Sequence, residues 1–110
     1  MDIEFTDDFE KWFNSLAEKP RKRATKIIDM LEMMGQGLLG TKYAKSIVGS
    51  ENLFELVIQA GGQPYRVLYG VINDVAILLL IGGNKKGDNR FYKREIPRAE
   101  ALLSDWTNEP

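Results

Sequence analysis

The sequence predicts an α+β fold: an N-terminal strand and a helical hairpin packed on an antiparallel meander sheet, followed by a C-terminal helix. Three observations carry this reading. Apolar residues recur at helical spacing as far as about Met34. From Ile47 onward the period shortens, and runs of β-branched and aromatic residues alternate with turn signals. After a glycine-rich break, a last apolar stripe returns to helical spacing.

Residues 2–6 alternate polar and apolar through Ile3 and Phe5, the pattern of a short edge strand. Thr6 or Asp7 then caps a helix whose first turn is acidic, where the helix dipole favours negative charge. Phe9, Trp12, Phe13 and Leu16 form its apolar face. Glu18-Lys19-Pro20 breaks the chain, and Pro20 suits the first position of a second helix. That helix runs to about Met34 and buries Ala24, Ile27, Ile28, Leu31 and Met34. Gly35, Gly37 and Gly40 end it in a loop, so the two helices form an antiparallel hairpin.

Three strands are expected over Leu53–Gln59, Tyr65–Ile72 and Val75–Ile81. Residues 60–64 and then Asn73-Asp74 separate them. A two-residue connection makes the last pair antiparallel, because parallel strands need a long crossover. Val75–Ile81 is apolar throughout and is expected to be a central strand, covered on both faces, one cover coming from the helices. Gly82-Gly83-Asn84 ends it. Tyr92, Ile96, Ala99, Leu103 and Trp106 then mark a helical face. Pro97 predicts a kink or short turn before a main helix over 97–107.

The chain has 110 residues, enough for one domain spanning 1–110. Its hydrophobic content of 44% and charged content of 28% suit a compact core. No apolar run is long enough for a membrane span, and the acidic, alternating start has no signal-peptide pattern, so a cytoplasmic protein is expected. There is no cysteine and no histidine. Disulfides, thiolate zinc sites and every imidazole-dependent mechanism are excluded. Acid–base chemistry falls to Lys, Arg, Tyr, Asp or Glu.

The net charge is −1, but its distribution is uneven. Residues 1–18 carry Asp2, Glu4, Asp7, Asp8, Glu10 and Glu18 against Lys11 alone. Residues 85–98 carry Lys85, Lys86, Arg90, Lys93, Arg94 and Arg98 against Asp88 and Glu95. Lys19, Arg21, Lys22, Arg23 and Lys26 make a second basic cluster, which reads as a solvated helix face. A polyanion responds to such local fields more than to the whole-chain sum.

Leu53-Phe54-Glu55-Leu56-Val57, then Pro64-Tyr65-Arg66-Val67-Leu68-Tyr69, then the stretch from Ile77 through Gly82-Gly83-Asn84-Lys85-Lys86-Gly87-Asp88-Asn89-Arg90-Phe91-Tyr92 together resemble the RelE/ParE toxin superfamily. The likeness is strongest to its HigB-like, phage-derived branch of type II toxin–antitoxin systems, and covers about residues 3–106. Ile96-Pro97-Arg98-Ala99 fits the helix pattern of that branch. The resemblance implies a RelE-like fold and inhibition of translation by mRNA cleavage at the ribosome. It also implies control by an antitoxin, often of helix-turn-helix type. Val57 stands where the branch usually has Arg, and Ile81-Gly82-Gly83 replaces a segment that carries histidine in many members.

Metal-free RNA cleavage needs a base for the 2′-hydroxyl, cations for the phosphorane-like transition state and an acid for the leaving 5′-oxygen. Neither cofactor nor metal is expected, since Asp7-Asp8 are explained by capping and Glu51 and Glu55 lack metal-site spacing. The catalytic candidates are Arg66, Lys85, Lys86, Arg90 and Tyr92. Arg66 shares a strand face with Leu68 and meets either phosphate or Glu55 across the hairpin. Lys85 and Lys86 are either an exposed basic turn or a pair whose mutual repulsion depresses the pKa of one toward a useful base. Tyr92 either packs in the core or supplies the acid. Asn89, Phe91, Lys93 and Arg94 are candidate RNA-binding residues, Phe91 as a stacking surface for a splayed base. Two other readings remain open: a gyrase-poisoning toxin without nuclease activity, and a catalytically impaired member that serves as an antitoxin-binding module.

Overall fold

The computed structural model describes residues 1–108. Strand β1 (Asp2–Phe5) is followed by helices α1 (Asp7–Ser15) and α2 (Glu18–Met34) and a 3-10 turn (Gly35–Leu38). Strands β2 (Ala44–Ser46), β3 (Phe54–Ala60), β4 (Gln63–Ile72) and β5 (Ala76–Asn84) come next, and helix α3 (Phe91–Asn108) completes the order. The strands form one sheet in the order β1-β5-β4-β3-β2. β3 to β5 are the expected antiparallel meander, β2 adds to β3 antiparallel, and β1 adds to β5 in parallel.

Thr6 is the cap of α1: its hydroxyl accepts from the Phe9 N–H at 3.0 Å and donates to the Leu80 carbonyl at 2.6 Å. One side chain therefore starts the helix and ties it to the sheet. Pro20 is the third residue of α2, not the first. This costs nothing, because none of the first four N–H groups of a helix has an intrahelical partner. In α2 the buried stripe is Ala24, Ile27 and Leu31; Ile28 is half-buried and Met34 is 50% exposed, where the chain turns away at Gly35.

Both faces of the sheet are covered, as expected, and helices supply both covers: α1 and α2 on one side and α3 on the other. On the α1–α2 side, Phe9, Ile27 and Leu31 pack on Leu56, Ile58, Val67, Tyr69, Ile77 and Leu79. On the other side, Phe91 and Ala99 of α3 pack on Leu68, Leu78, Leu80 and Ile81.

Five expectations need correcting. The short strand β2 escaped notice because three residues are too few to show a period. The turn expected over residues 60–64 is only Gly61-Gly62, both at positive φ, so Gln63 and Pro64 already belong to β4. β5 is an interior strand between β1 and β4 and is covered on both faces, as expected, but it starts at Ala76, and Val75 is exposed after the Asn73-Asp74 turn. Gly82-Gly83-Asn84 continues β5 rather than ending it. Finally, α3 is continuous through Pro97. The ring removes one helical hydrogen bond, but buried Glu95 and Ala99 hold the helix to the sheet on either side.

A bulge sets the geometry of the end of the sheet where β5 runs out. Leu68 pairs with Ile81 and Tyr69 with Leu79, which leaves Leu80 as an extra residue in β5. Beyond it the alternation is reset, and Gly82 meets α1 while Gly83 meets α3. A Cβ on Gly82 would lie 2.2 Å from the Trp12 ring, and one on Gly83 would lie 2.7 Å from the Phe91 ring. Both helices approach the sheet so closely there that only glycine fits.

Candidate functional site

At the end of the sheet where β5 runs out, polar groups replace the apolar filling on the α3 side. Glu55 on β3 and Arg66 on β4 are both buried, at 3% and 7% exposure. Period-2 alternation sends Glu55 to the same face as Arg66 and Leu68. Arg66 Nε donates to Glu55 Oε1 at 3.1 Å, and Arg66 Nη1 donates to the Tyr65 carbonyl at 2.9 Å. The Tyr92 hydroxyl, brought in by the first turn of α3, donates to the same Glu55 oxygen at 2.9 Å. Two donors from different elements thus converge on one carboxylate oxygen.

Lys85 closes the group from the loop after β5. Its N–H donates to the Pro64 carbonyl at 3.1 Å, and its ammonium lies 5.5 Å from the Tyr92 ring centroid. The loop is built to hold this position. Asn84 receives the Lys86 N–H on its side chain, and Asp88 receives the Arg90 N–H. The Asp88 carbonyl accepts from the N–H of Phe91, the first residue of α3.

The environments set the protonation of two groups. Burial pushes the Tyr92 phenol up to about 12, assisted by its hydrogen bond to Glu55, so at neutral pH it is a neutral donor. Burial also lowers the Lys85 ammonium, with Arg66 and Lys45 adding repulsion against the opposing pull of Glu55. The expected cause, repulsion from adjacent Lys86, is not what lowers it: the partners are on β4 and β2.

The structure therefore brings together Arg66, Lys85 and Tyr92. It leaves Lys86, Asn89, Arg90 and Lys93 exposed on the rim, in the loop and the first turn of α3. Arg94 is held by Asp88 through Nη2–Oδ2 at 2.7 Å, which raises its own pKa and lowers that of Asp88. Phe91 is corrected outright. It is 2% exposed, wedged against Gly83 and edge-on to Tyr92, so it offers no ring to a base. Val57 stands directly opposite Arg66 in the β3–β4 register and adds no charge.

In the sequence, Glu55 stands out as the alternative partner of Arg66 and, with Glu51, lacks metal-site spacing; nothing there marks it as the centre of the site. Its contact with Tyr92 joins residues 37 positions apart, which no local pattern reveals. Sequence reasoning also missed Glu95, buried at 8% and bridged to Arg98, which in turn reaches Asp8 of α1 at 2.7 Å. The signal was present: Phe91, Glu95 and Ala99 follow one another at four-residue steps, one face of α3.

Chemically, the site offers a carboxylate that can accept a proton, a phenol that can donate one and two cations able to meet a phosphate. Among the described residues, no group of three or more carboxylates stands close enough to hold a metal ion.

Residues 11–104 match a family described as "Phage derived protein Gp49-like (DUF891)". No curated protein matches the chain. Among solved structures, a double-arginine mutant of the E. coli toxin RelE in the free state is similar, with a TM-score of 0.62 and 16% identity over 88% of this chain and 95% of that one. A chain of the intact E. coli RelBE toxin–antitoxin complex has a TM-score of 0.56 and 18% identity, over 74% of this chain and 93% of its own. A chain of the archaeal RelE–RelB complex from Pyrococcus horikoshii OT3 has a TM-score of 0.56 and 21% identity, over 76% and 93%. At these identities the likeness establishes a shared fold.

Proposed function

Since the chain belongs to the phage-derived Gp49-like family and has the fold of RelE, we propose that it is the toxin of a toxin–antitoxin pair and acts in the cytosol as a metal-independent mRNA endoribonuclease at the ribosome. The observation that carries this reading is the convergence of Glu55, Arg66, Lys85 and Tyr92 at one end of the sheet. In this mechanism the Glu55 carboxylate takes the proton of the 2′-hydroxyl as that oxygen attacks the neighbouring phosphorus. Arg66 and Lys85 stabilise the charge that builds on the phosphoryl oxygens. The Tyr92 phenol, held protonated by burial, gives its proton to the leaving 5′-oxygen. Arg90, Lys93 and Asn89 on the rim meet the flanking phosphates. The partner that restrains it is an antitoxin, in keeping with the toxin–antitoxin complexes among its structural relatives; the sequence resemblance favours one of helix-turn-helix type.

The test is induced expression in a bacterial host without antitoxin, following growth and mapping mRNA 5′ ends, with Arg66→Ala, Lys85→Ala and Tyr92→Phe alongside. Wild type is expected to arrest growth and create new mRNA ends. Each variant is expected to lower the cleavage rate on isolated ribosomes by about 10²–10³, the usual cost of losing one transition-state donor. Growth arrest with intact mRNA and broken DNA would replace this reading with gyrase poisoning. Normal growth with folded, soluble protein would leave the chain as an antitoxin-binding module.

A further inference from the structure

The two edges of the sheet are finished differently. At one edge, β2 is only three residues long and is partly closed by Leu39, which bridges to Ala44, and by Gly40, whose N–H donates to the Ala44 carbonyl. At the other, β1 pairs with β5 alone, and among the described residues nothing bonds to its outer edge. Open edges invite pairing with another chain. Beside this one lies an apolar groove of about 420 Å³, lined by Ile3, Phe5, Phe9, Phe13, Ile28 and Leu79. Phe5 is 48% exposed, an unusual position for a phenylalanine on a strand with nothing outside it.

Charge decides what fits there. Ile3 and Phe5 point to the groove, so the alternation of β1 sends Asp2 and Glu4 to the opposite face of the sheet. Glu10 lines the groove itself. The one lysine in this stretch, Lys11, lies on the other side of α1 with Asp7, Asp8 and Arg98. Arg21 and Lys22 stand only at the far end, below Phe13. A second copy of this chain pairing through β1 would set Asp2 and Glu4 against acidic residues of the same kind, which is unfavourable across a strand pair.

We propose that the outer edge of β1 and its groove receive an extended segment of a partner protein in which apolar residues alternate with lysine or arginine. The apolar residues enter beside Phe5 and Phe9. The basic ones lie on the other face, beside Asp2 and Glu4. This deepens the partner assignment above and rests on it for the role of that partner as the neutralising protein. The seat is on the α1–α2 side of the sheet, away from the Glu55–Arg66 face, so a partner held there restrains the toxin by blocking its approach to a large particle rather than by filling the site.

The probe is an eight-residue peptide alternating lysine with valine, with a glutamate–valine counterpart, titrated into ¹⁵N-labelled protein. The lysine peptide is expected to shift the amide signals of residues 2–6 and of Phe9 and Ile28, and to protect β1 amides from hydrogen exchange. Raising salt from about 50 to 200 mM should weaken it severalfold, as for any exposed charge pairing. Glu4 is exposed, so Glu4→Lys is expected to fold as wild type; it should weaken the lysine peptide at least tenfold and admit the glutamate peptide. Tyr92→Phe, which removes one hydroxyl on the far face and leaves the buried pair intact, should bind as wild type, so a failure of the nuclease reading leaves this result standing. Equal binding of both peptides, shifts confined to the Lys85–Arg90 loop, no binding, or dimerisation through β1 in sedimentation would each overturn the proposal.

Discussion

The two faces of the sheet are filled by opposite strategies. Against α1 and α2 the sheet is filled mainly by apolar and aromatic side chains, with Ile27, Leu31, Leu56, Ile58 and Ile77 fully buried, Tyr65 half-buried against Trp12, and fully buried Tyr69 keeping its hydroxyl near Gln36. Against α3 it is apolar only under Phe91 and Ala99, then gives way to Glu55 and Arg66. A buried ion pair is a poor way to stabilise a core, because desolvation cancels most of the attraction. The difference teaches that the α1–α2 side is built to hold the fold, and that one end of the α3 side is built to hold charged groups in place.

The largest effect that would sharpen this contrast is loss of one partner of the pair. Glu55→Ala leaves Arg66 buried without its carboxylate and is expected to cost about 3–5 kcal/mol in urea unfolding. Replacing both, as Glu55→Leu with Arg66→Met, is expected to leave stability near wild type while abolishing cleavage. A double variant as unstable as Glu55→Ala would break the contrast and make the pair structural. Next, Gly82→Ala forces a methyl group into the Trp12 ring and is expected to cost about 1–3 kcal/mol, with altered Trp12 fluorescence.

Alkaline titration tests both faces together. Burial raises Tyr69 and Tyr92 to about 12 from an ordinary 10.0, so the fold favours their neutral forms. Their contribution is present in full below pH 10 and is lost as pH rises from 10 to 12. The melting temperature should therefore fall over that window, and Tyr69→Phe and Tyr92→Phe should each flatten the fall to a similar extent, because the two shifts are alike. The smallest effect is expected from Arg94→Ala, which removes a half-exposed pair with Asp88. It should cost under about 1 kcal/mol and shrink further in 1 M salt. A larger loss would mean that the loop before α3 depends on that pair.

Most of the element order was legible because it is written in local periods. The 3.6-residue stripe of α2, the two-residue Asn73-Asp74 turn and the apolar run of β5 are each decided within a few residues. Less of the candidate site was. Arg66, Lys85 and Tyr92 could be nominated from residue type, strand alternation and family likeness. Phe91 is hidden in the sequence because Tyr92, Ile96 and Ala99 suggest one phase for α3, while the residues pressed deepest into the sheet are Phe91, Glu95 and Ala99.

By itself, then, the sequence determined the α+β order, the hairpin, the meander and the absence of imidazole and thiol chemistry, since composition and nearest-neighbour periodicity need no distant contact. Tertiary structure alone decided that Glu55 Oε1 receives both Arg66 and Tyr92, that Lys85 is lowered by burial with added repulsion from Arg66 and Lys45 rather than from Lys86, and that Pro97 leaves α3 intact. Each depends on residues far apart in the chain meeting across a bulged sheet. Burial and electrostatics at such a meeting point belong to the packed assembly rather than to any one segment.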